Sequence, residues 1–179
     1  MKGRMILIAC IGLLGIIMAV LIARSEDTST TEPVVESEQV NPCEGFEPRE
    51  FLDLEEQEFL RILNDYRVNN GLPLVNISVE LAQAANWMSN DMATQGYEGH
   101  TDSLGRGVKD RITEEGHFLN PRSEILVNVA EDALSAFRAW RDSAGHNALM
   151  LDPNARYVGI ARVCREDSES LWYWTVDFA

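Results

Sequence analysis

Positively charged residues are scarce in this chain. Its 179 residues include 15 Lys and Arg against 29 Asp and Glu, which gives a net charge of −14 at pH 7. A surface with this excess of negative charge repels phosphate backbones, so we expect no nucleic-acid partner. With 45% hydrophobic residues, the chain has enough apolar material for one domain of ordinary size and an additional segment.

Cysteine is also scarce, with three residues in the whole chain. Cys10 lies in an apolar run near the amino terminus, which leaves Cys43 and Cys164 for an exported domain. In an oxidising exterior these two thiols can form a disulfide, and in the chain-entropy model closing so long a loop contributes about 4–5 kcal/mol to stability. The alternative is two unrelated thiols.

Charge is absent from a run of nineteen residues, Met5 to Ala23, which follows Lys2 and Arg4. As a helix this run would be about 28 Å long, close to the thickness of the hydrocarbon core of a bilayer. That is long for a cleavable signal, so residues 1–24 are predicted to be a retained signal anchor in the cell membrane. The basic amino end places the rest of the chain outside the cell. The alternative is a protein secreted after signal cleavage.

Helical and strand periodicity are missing from residues 25–50, which are rich in Ser, Thr, Glu, Pro and Val. Such a segment buries too little apolar surface to offset its chain entropy, so it is predicted to be a flexible acidic linker. The folded domain is then expected to cover residues 51–179.

The domain sequence predicts helices first and a β-hairpin last. Asp53, with Glu56 three residues later, indicates a helix start, and Ser78 indicates a second helix that ends at Gly96. Helices are also predicted over Val108 to Glu115 and Glu131 to Arg141, and strands over Tyr157 to Arg165 and Leu171 to Phe178. Because helices and strands do not alternate as βαβ units, the predicted fold class is α+β.

Histidine is rare, and no two of the three histidines have the spacing of a helical metal pair. His100 follows the second predicted helix in the segment Gly-His-Thr. His146 follows Trp140 in the segment Ser-Ala-Gly-His-Asn, at the start of a further short helical run. Only tertiary structure can bring these two imidazoles together. His117 lies in a polar context and is predicted to be a surface residue.

Several short motifs follow one another between Leu54 and Ala179. They include Asn70-Gly71-Leu72-Pro73, Glu80-Leu81-Ala82, Gly99-His100-Thr101, Ser143-Ala144-Gly145-His146-Asn147, Tyr157-Val158-Gly159-Ile160 and Trp174-Thr175-Val176-Asp177-Phe178. In order and spacing they resemble the CAP superfamily of cysteine-rich secretory, antigen 5 and pathogenesis-related proteins, in its compact bacterial form, the SCP-like extracellular domain. The resemblance implies a three-layer α-β-α sandwich in which histidine-bearing loops line a cleft.

The sequence departs from the family pattern beside the expected cleft. Glu124 matches the family's carboxylate, but Ser123 and Ile125 replace the usual glycine and asparagine. The family's second carboxylate falls on Ser143, and Asp142 is adjacent but not aligned. The resemblance therefore implies an incomplete set of two histidines and two carboxylates.

Three classes of function remain open from the sequence. The resemblance favours a non-enzymatic extracellular module whose cleft, lined by His100, Glu124 and His146, binds a small ligand, a lipid or a cell-envelope partner. The alternative is a divalent-metal-dependent hydrolase or peptidase, in which His100 and His146 are candidate metal ligands. With Glu124 they could hold zinc weakly and lower the pKa of bound water to about 7. A serine hydrolase built on Ser143 is disfavoured, because a serine just before a helix is more often a cap.

Overall fold

Four strands form the sheet of the domain, and helices pack on it. The computed structural model describes residues 41, 43, 52–114 and 120–179, all within one compact unit, Gln39–Ala179. The elements follow in the order α1 (Leu54–Asn69), β1 (Asn76–Ile77), α2 (Val79–Gln95), α3 (Val108–Glu114), β2 (Ser123–Asn128), α4 (Ala133–Arg141), α5 (Ala144–Met150), β3 (Tyr157–Cys164) and β4 (Trp172–Phe178).

Both helix starts that the sequence predicts most clearly are confirmed. Asp53 and Glu56 form a capping box at the start of α1, in which each side chain accepts the backbone N–H of the other residue at 2.8 and 2.7 Å. Ser78 caps α2 by accepting the N–H of Leu81 at 3.3 Å. The same helix ends at Gly96, which has the left-handed conformation (φ 70°) that glycine adopts without steric cost.

Three element boundaries differ from the prediction. α4 begins at Ala133 rather than Glu131, because Asp132 has an extended backbone and caps the helix through the N–H of Ser135. The predicted antiparallel hairpin is present, but β3 ends at Cys164 and β4 begins at Trp172. The sequence does not predict β1, because two residues are too few to show a period.

The strands lie in the order β1-β3-β4-β2. β4 is antiparallel to both β3 and β2, whereas β1 is parallel to β3. The register of β2 and β4 pairs Glu124 with Asp177. Because directly paired residues share a face of the sheet, these two side chains lie side by side.

Helices cover both faces of the sheet. Trp174 and Val176 of β4 belong to an apolar cluster with residues of α1, α4 and α5, whereas Tyr173 belongs to a cluster with Met88 and Met92 of α2. Successive side chains of a strand point to opposite faces, so the two clusters lie on opposite sides of the sheet. The predicted α+β class and the α-β-α layering are therefore confirmed.

Helix α2 lies close against the sheet at Gly159 of β3. A Cβ atom on Gly159 would lie 2.0 Å from the carbonyl carbon of Leu81 and 2.3 Å from the amide nitrogen of Ala82. These are backbone atoms, which cannot move aside as a flexible side chain can. A residue without a Cβ is therefore required for α2 to lie where it does.

A disulfide joins Cys43 to Cys164, with 5.4 Å between their Cα atoms. This pairing confirms the prediction from the sequence and attaches the chain before α1 to the end of β3. The predicted anchor (residues 5–23), nearly all of the predicted linker (residues 25–50) and His117 lie outside the described residues. Among the helices that are described, none has the length and apolar character needed to cross a membrane.

Candidate functional site

Two aspartates build the loop that carries His100, between α2 and α3. Asp91 of α2 accepts hydrogen bonds from the hydroxyl of Tyr97 (2.5 Å), the hydroxyl of Ser103 (2.6 Å) and the N–H of Ser103 (2.7 Å). Burial alone would raise the pKa of Asp91, but the bonds from Ser103 and Tyr97 hold it below its usual value. Asp91 is therefore an ionised acceptor that fixes both ends of the loop segment around His100.

The second aspartate, Asp102, closes the turn that follows His100. It accepts from the indole N–H of Trp87 (3.1 Å) and from the backbone N–H and Nε–H of Arg106 (both 2.8 Å). The Arg106 guanidinium also stacks on the Trp87 ring, 4.8 Å from its centroid. The hydrogen bonds from Arg106 and Trp87 outweigh the effect of burial and lower the pKa of Asp102. The loop is thus held against α2 by charged, directional contacts.

The centre of the site is the carboxylate of Glu124 on β2. Oε1 accepts a hydrogen bond from Nδ1–H of His100 at 2.8 Å, a proton position that we assign because the carboxylate is an acceptor. Oε2 accepts from Nη2 of Arg111 on α3. Both oxygens of the carboxylate are therefore engaged.

Arg111 joins the loop to the sheet. Its Nη1 donates to the backbone carbonyls of His100 (3.3 Å) and Arg106 (3.0 Å), while Nη2 binds Glu124. The Arg111 and Glu124 side chains are each 1% exposed, and that of His100 is 60% exposed. The ion pair is thus buried beneath an imidazole that it orients towards solvent.

Asp177 of β4 lies beside Glu124 and is completely buried. No N–H or hydroxyl donor in the part of the chain that the structure describes reaches either of its carboxyl oxygens. Burial raises the pKa of Asp177 well above its usual value, the negative charge of Glu124 raises it further, and the positive charge of Arg111 opposes the shift. Burial and the neighbouring carboxylate therefore favour the protonated, neutral form of Asp177.

His146 lies in the first turn of α5 and is half-buried. The next residue, Asn147, accepts a hydrogen bond from the Tyr66 hydroxyl at 2.9 Å, which attaches α5 to α1. Within the described residues no hydrogen bond links the His146 ring to His100 or Glu124. The prediction that the two histidines share a cleft therefore stays a prediction. Ser143 occupies the N-cap position of α5 without a capping hydrogen bond from its side chain.

The described residues do not fit a zinc site with three protein ligands. No group of three or more His, Cys, Asp or Glu side chains among them is arranged to hold a metal ion. Glu124, the carboxylate expected to complete such a site, instead has both oxygens bound to His100 and Arg111. The weakly bound divalent cation therefore lacks support in the described part of the chain.

Arg111 and Asp177 are the site residues that the sequence does not identify by chemistry. The position of Arg111 in α3 gives no sign in the sequence that its side chain reaches Glu124. Asp177 and Thr175 alternate with the apolar residues Trp174, Val176 and Phe178 in β4. This alternation is typical of a strand with one solvent-facing side, so the pattern gives no signal that Asp177 is buried.

The comparisons with known proteins agree with this fold. The family model described as the cysteine-rich secretory protein family, CAP, matches residues 60–178. An uncharacterised membrane protein of Bacillus subtilis (strain 168), YlbC, is 30% identical over 107 residues, which are 59% of this chain and 30% of that protein. The chain thus spans less than a third of that relative.

Two solved structures share the fold. An extracellular protein containing a SCP domain from Bacillus anthracis str. Ames has a TM-score of 0.61 and 22% identity, over 69% of this chain and 39% of that chain. An outer surface protein from Borrelia burgdorferi has a TM-score of 0.62 and 20% identity, over 71% of this chain and 94% of that chain. With the family match over most of the domain, the chain belongs to the cysteine-rich secretory protein (CAP) family.

Proposed function

We propose that this protein is an extracytoplasmic, non-enzymatic binding module in which His100 is the group that recognises the ligand. The observation that carries the proposal is the double engagement of Glu124 by His100 and Arg111. A carboxylate that accepts from an imidazole N–H and a guanidinium is held in place, and it orients the imidazole so that Nε2 is the ring atom left to meet a ligand.

The chemistry of His100 suits recognition. With Nδ1–H donated to Glu124, the neutral imidazole presents Nε2 as a hydrogen-bond acceptor, and its side chain is 60% exposed. The loop is fixed by Asp91 and Asp102, so little conformational freedom is lost when a ligand binds. A ligand with an O–H or N–H donor fits this arrangement.

The location outside the cytoplasm rests on three observations. The Cys43–Cys164 disulfide is typical of an oxidising compartment. The Bacillus anthracis structure is named as an extracellular protein and the Borrelia burgdorferi structure as an outer surface protein. A relative in Bacillus subtilis is named as a membrane protein. We propose that residues 5–23 anchor this chain and that its domain lies outside the cell, where it meets a small ligand, a lipid or a cell-envelope partner.

The test uses full-length protein in lipid nanodiscs and a defined library of peptides and cell-wall glycan fragments. Mass spectrometry follows both the bound fraction and the mass of each compound. We expect at least one compound to be retained without change of mass, and His100→Ala to weaken its binding by about 10-fold or more, the effect of losing one hydrogen bond to a ligand. Thr101→Ala, a change at the neighbouring exposed residue, serves as the matched control and should bind as the wild type does.

Two outcomes would contradict the proposal. Cleavage of a retained compound by the wild type would establish an enzyme, and retention that does not depend on His100 would place the binding group elsewhere. His146→Ala in the same assay tests the shared cleft, because a loss of binding similar to that of His100→Ala requires both imidazoles to contact the ligand.

A further inference from the structure

Glu124 and Asp177 are two acids paired directly across neighbouring strands. They lie opposite each other in the register of β2 and β4, with relative exposures of 5% and 0%. Like charges directly opposite each other destabilise a sheet, and the effect grows when water is excluded. Two ionised carboxylates at this position therefore need two compensating positive charges.

A single guanidinium compensates this pair in the described part of the chain. Arg111 binds Glu124 through Nη2, while its Nη1 is directed to two backbone carbonyls and its Nε has no partner among those residues. On β3, the residue paired with Asp177 is Gly159, which has no side chain. The charge of Arg111 thus balances one carboxylate and not both.

Hydrogen bonding decides which of the two acids keeps a proton. Glu124 accepts from His100 and Arg111, and both bonds stabilise its ionised form. The oxygens of Asp177 receive no such bond from the described residues. Hydrogen bonds to a carboxylate favour its ionised form, whereas burial without such bonds favours the protonated form. The proton is therefore expected on Asp177.

We propose that Glu124 and Asp177 hold one proton between them and that this shared proton regulates the His100 site. With the proton on Asp177, the cluster of Arg111, Glu124 and Asp177 is neutral, and Glu124 stays in place to orient His100. When alkaline pH transfers the proton to solvent water, two carboxylates compete for Arg111. Glu124 then shifts, and its hydrogen bond to His100 is lost.

Two other buried acidic groups near the site, Asp91 and Asp102, already have hydrogen-bond partners. Asp91 is bound to Tyr97 and Ser103, and Asp102 is bound to Arg106 and Trp87. The α2 residues buried towards this part of the sheet include the apolar Leu81 and Ala84, which cluster with Ile112 of α3.

The use of the proton as a regulator rests on the proposed function, whereas the shared proton itself depends only on the buried pair.

The test is nuclear magnetic resonance of the full chain in nanodiscs, with ¹³C-labelled Asp carboxyls and histidine rings and without ligand. We expect the Asp177 carboxyl to keep its protonated chemical shift at pH 7 and to ionise only at alkaline pH. The His100 ring resonance should move in the same alkaline step. An Asp177 carboxyl that is already ionised at pH 6 would overturn the proposal.

Variants separate the shared proton from a purely structural role. Asp177→Asn imitates the protonated acid, so the alkaline step of His100 should disappear, whereas Asp110→Asn on the surface of α3 should keep it. If Asp177→Asn does not fold, Glu124→Gln replaces it, and the Asp177 carboxyl should then ionise at a lower pH than in the wild type. An alkaline step that persists in Asp177→Asn, or an unchanged ionisation of Asp177 in Glu124→Gln, would overturn the proposal. Because no ligand is present, these results are independent of whether the binding assay succeeds.

Discussion

Arg111 is a buried cation whose hydrogen bonds hold together three parts of the candidate site: the His100 loop, strand β2 and the Arg106 turn. Replacement by Met keeps the apolar length of the side chain but leaves Glu124 without its cation. Removing one partner of a buried ion pair leaves an uncompensated charge, so we expect Arg111→Met to lower the free energy of unfolding by about 3–5 kcal/mol. Equilibrium urea unfolding of the two proteins measures the difference.

Arg61 provides the matched control for this prediction. It forms salt bridges with Glu58 and Asp65 on the surface of α1, and its side chain is 59% exposed. Exposed pairs contribute little because water screens them, so Arg61→Met should leave the free energy of unfolding nearly unchanged. If Arg61→Met and Arg111→Met lowered the free energy of unfolding equally, burial of the Arg111–Glu124 pair would not be the cause of the loss.

Sequence patterns identify some residues of the candidate site but not Asp177. The family resemblance names His100 and Glu124, and the structure places their side chains in contact at 2.8 Å. Asp177 shares a strand face with Thr175. If one face of the sheet were solvated, the alternation of β4 would predict that both residues face solvent. Helix α2 covers that face, so both are completely buried. Strand alternation alone does not reveal a second covering layer.

At the scale of secondary structure, the packing of α2 on β3 depends on Gly159. A Cβ at this position would overlap backbone atoms of Leu81 and Ala82. The first turn of α2 would have to move away from the sheet, so we expect Gly159→Ala to cost at least about 3 kcal/mol of stability, the upper range for overpacking. Thermal unfolding followed by circular dichroism measures the loss.

A second glycine tests whether the loss comes from packing. Gly145 is the second residue of α5, and a Cβ there would meet no atom within 4 Å. Because alanine favours helix more than glycine does, Gly145→Ala should raise stability by up to about 1 kcal/mol. A Gly159→Ala protein as stable as the wild type would mean that α2 can shift without cost.

Local signals predict the helices better than the sheet. The caps at Asp53 and Ser78 depend on residues three positions away, so the sequence contains all of the information. The pairing of β2 with β4 joins residues about fifty positions apart, and nothing local sets that register. The two-residue strand β1 exists only through its pairing with Tyr157 and Val158. These tertiary pairings are the part of the fold that single-sequence patterns do not contain.

At the scale of the whole molecule, those ionisable groups of the described residues whose pKa values are shifted form two sets with opposite effects on stability. Burial raises the pKa of Glu56 from 4.5 to about 7, and the pKa of Asp177 is raised well above 3.8. Hydrogen bonds lower the pKa of Asp132, through the N–H of Ser135, and of Asp152, through the Arg122 side chain. Groups with raised pKa values make the folded protein more stable at mildly acid pH. Groups with lowered pKa values make it less stable in strong acid.

The pH dependence of unfolding follows from these directions. A group with a raised pKa contributes stability that is complete below its pKa in the unfolded chain and is lost as the pH rises through its pKa in the folded protein. Ionisation of Glu56 alone should therefore lower the free energy of unfolding by about 2–3 kcal/mol between pH 4.5 and 7. A lowered pKa gives stability that is lost as the pH falls below about 4. We therefore expect maximal stability near pH 5, with a decline towards pH 8 to which the net charge of −14 also contributes. Urea unfolding from pH 3.5 to 8.5 measures this curve, and Glu56→Gln should flatten its slope between pH 4.5 and 7 whatever its effect on absolute stability. Stability that increases steadily from pH 5 to 8 would show that Glu56 and Asp177 are ionised in the folded protein without cost.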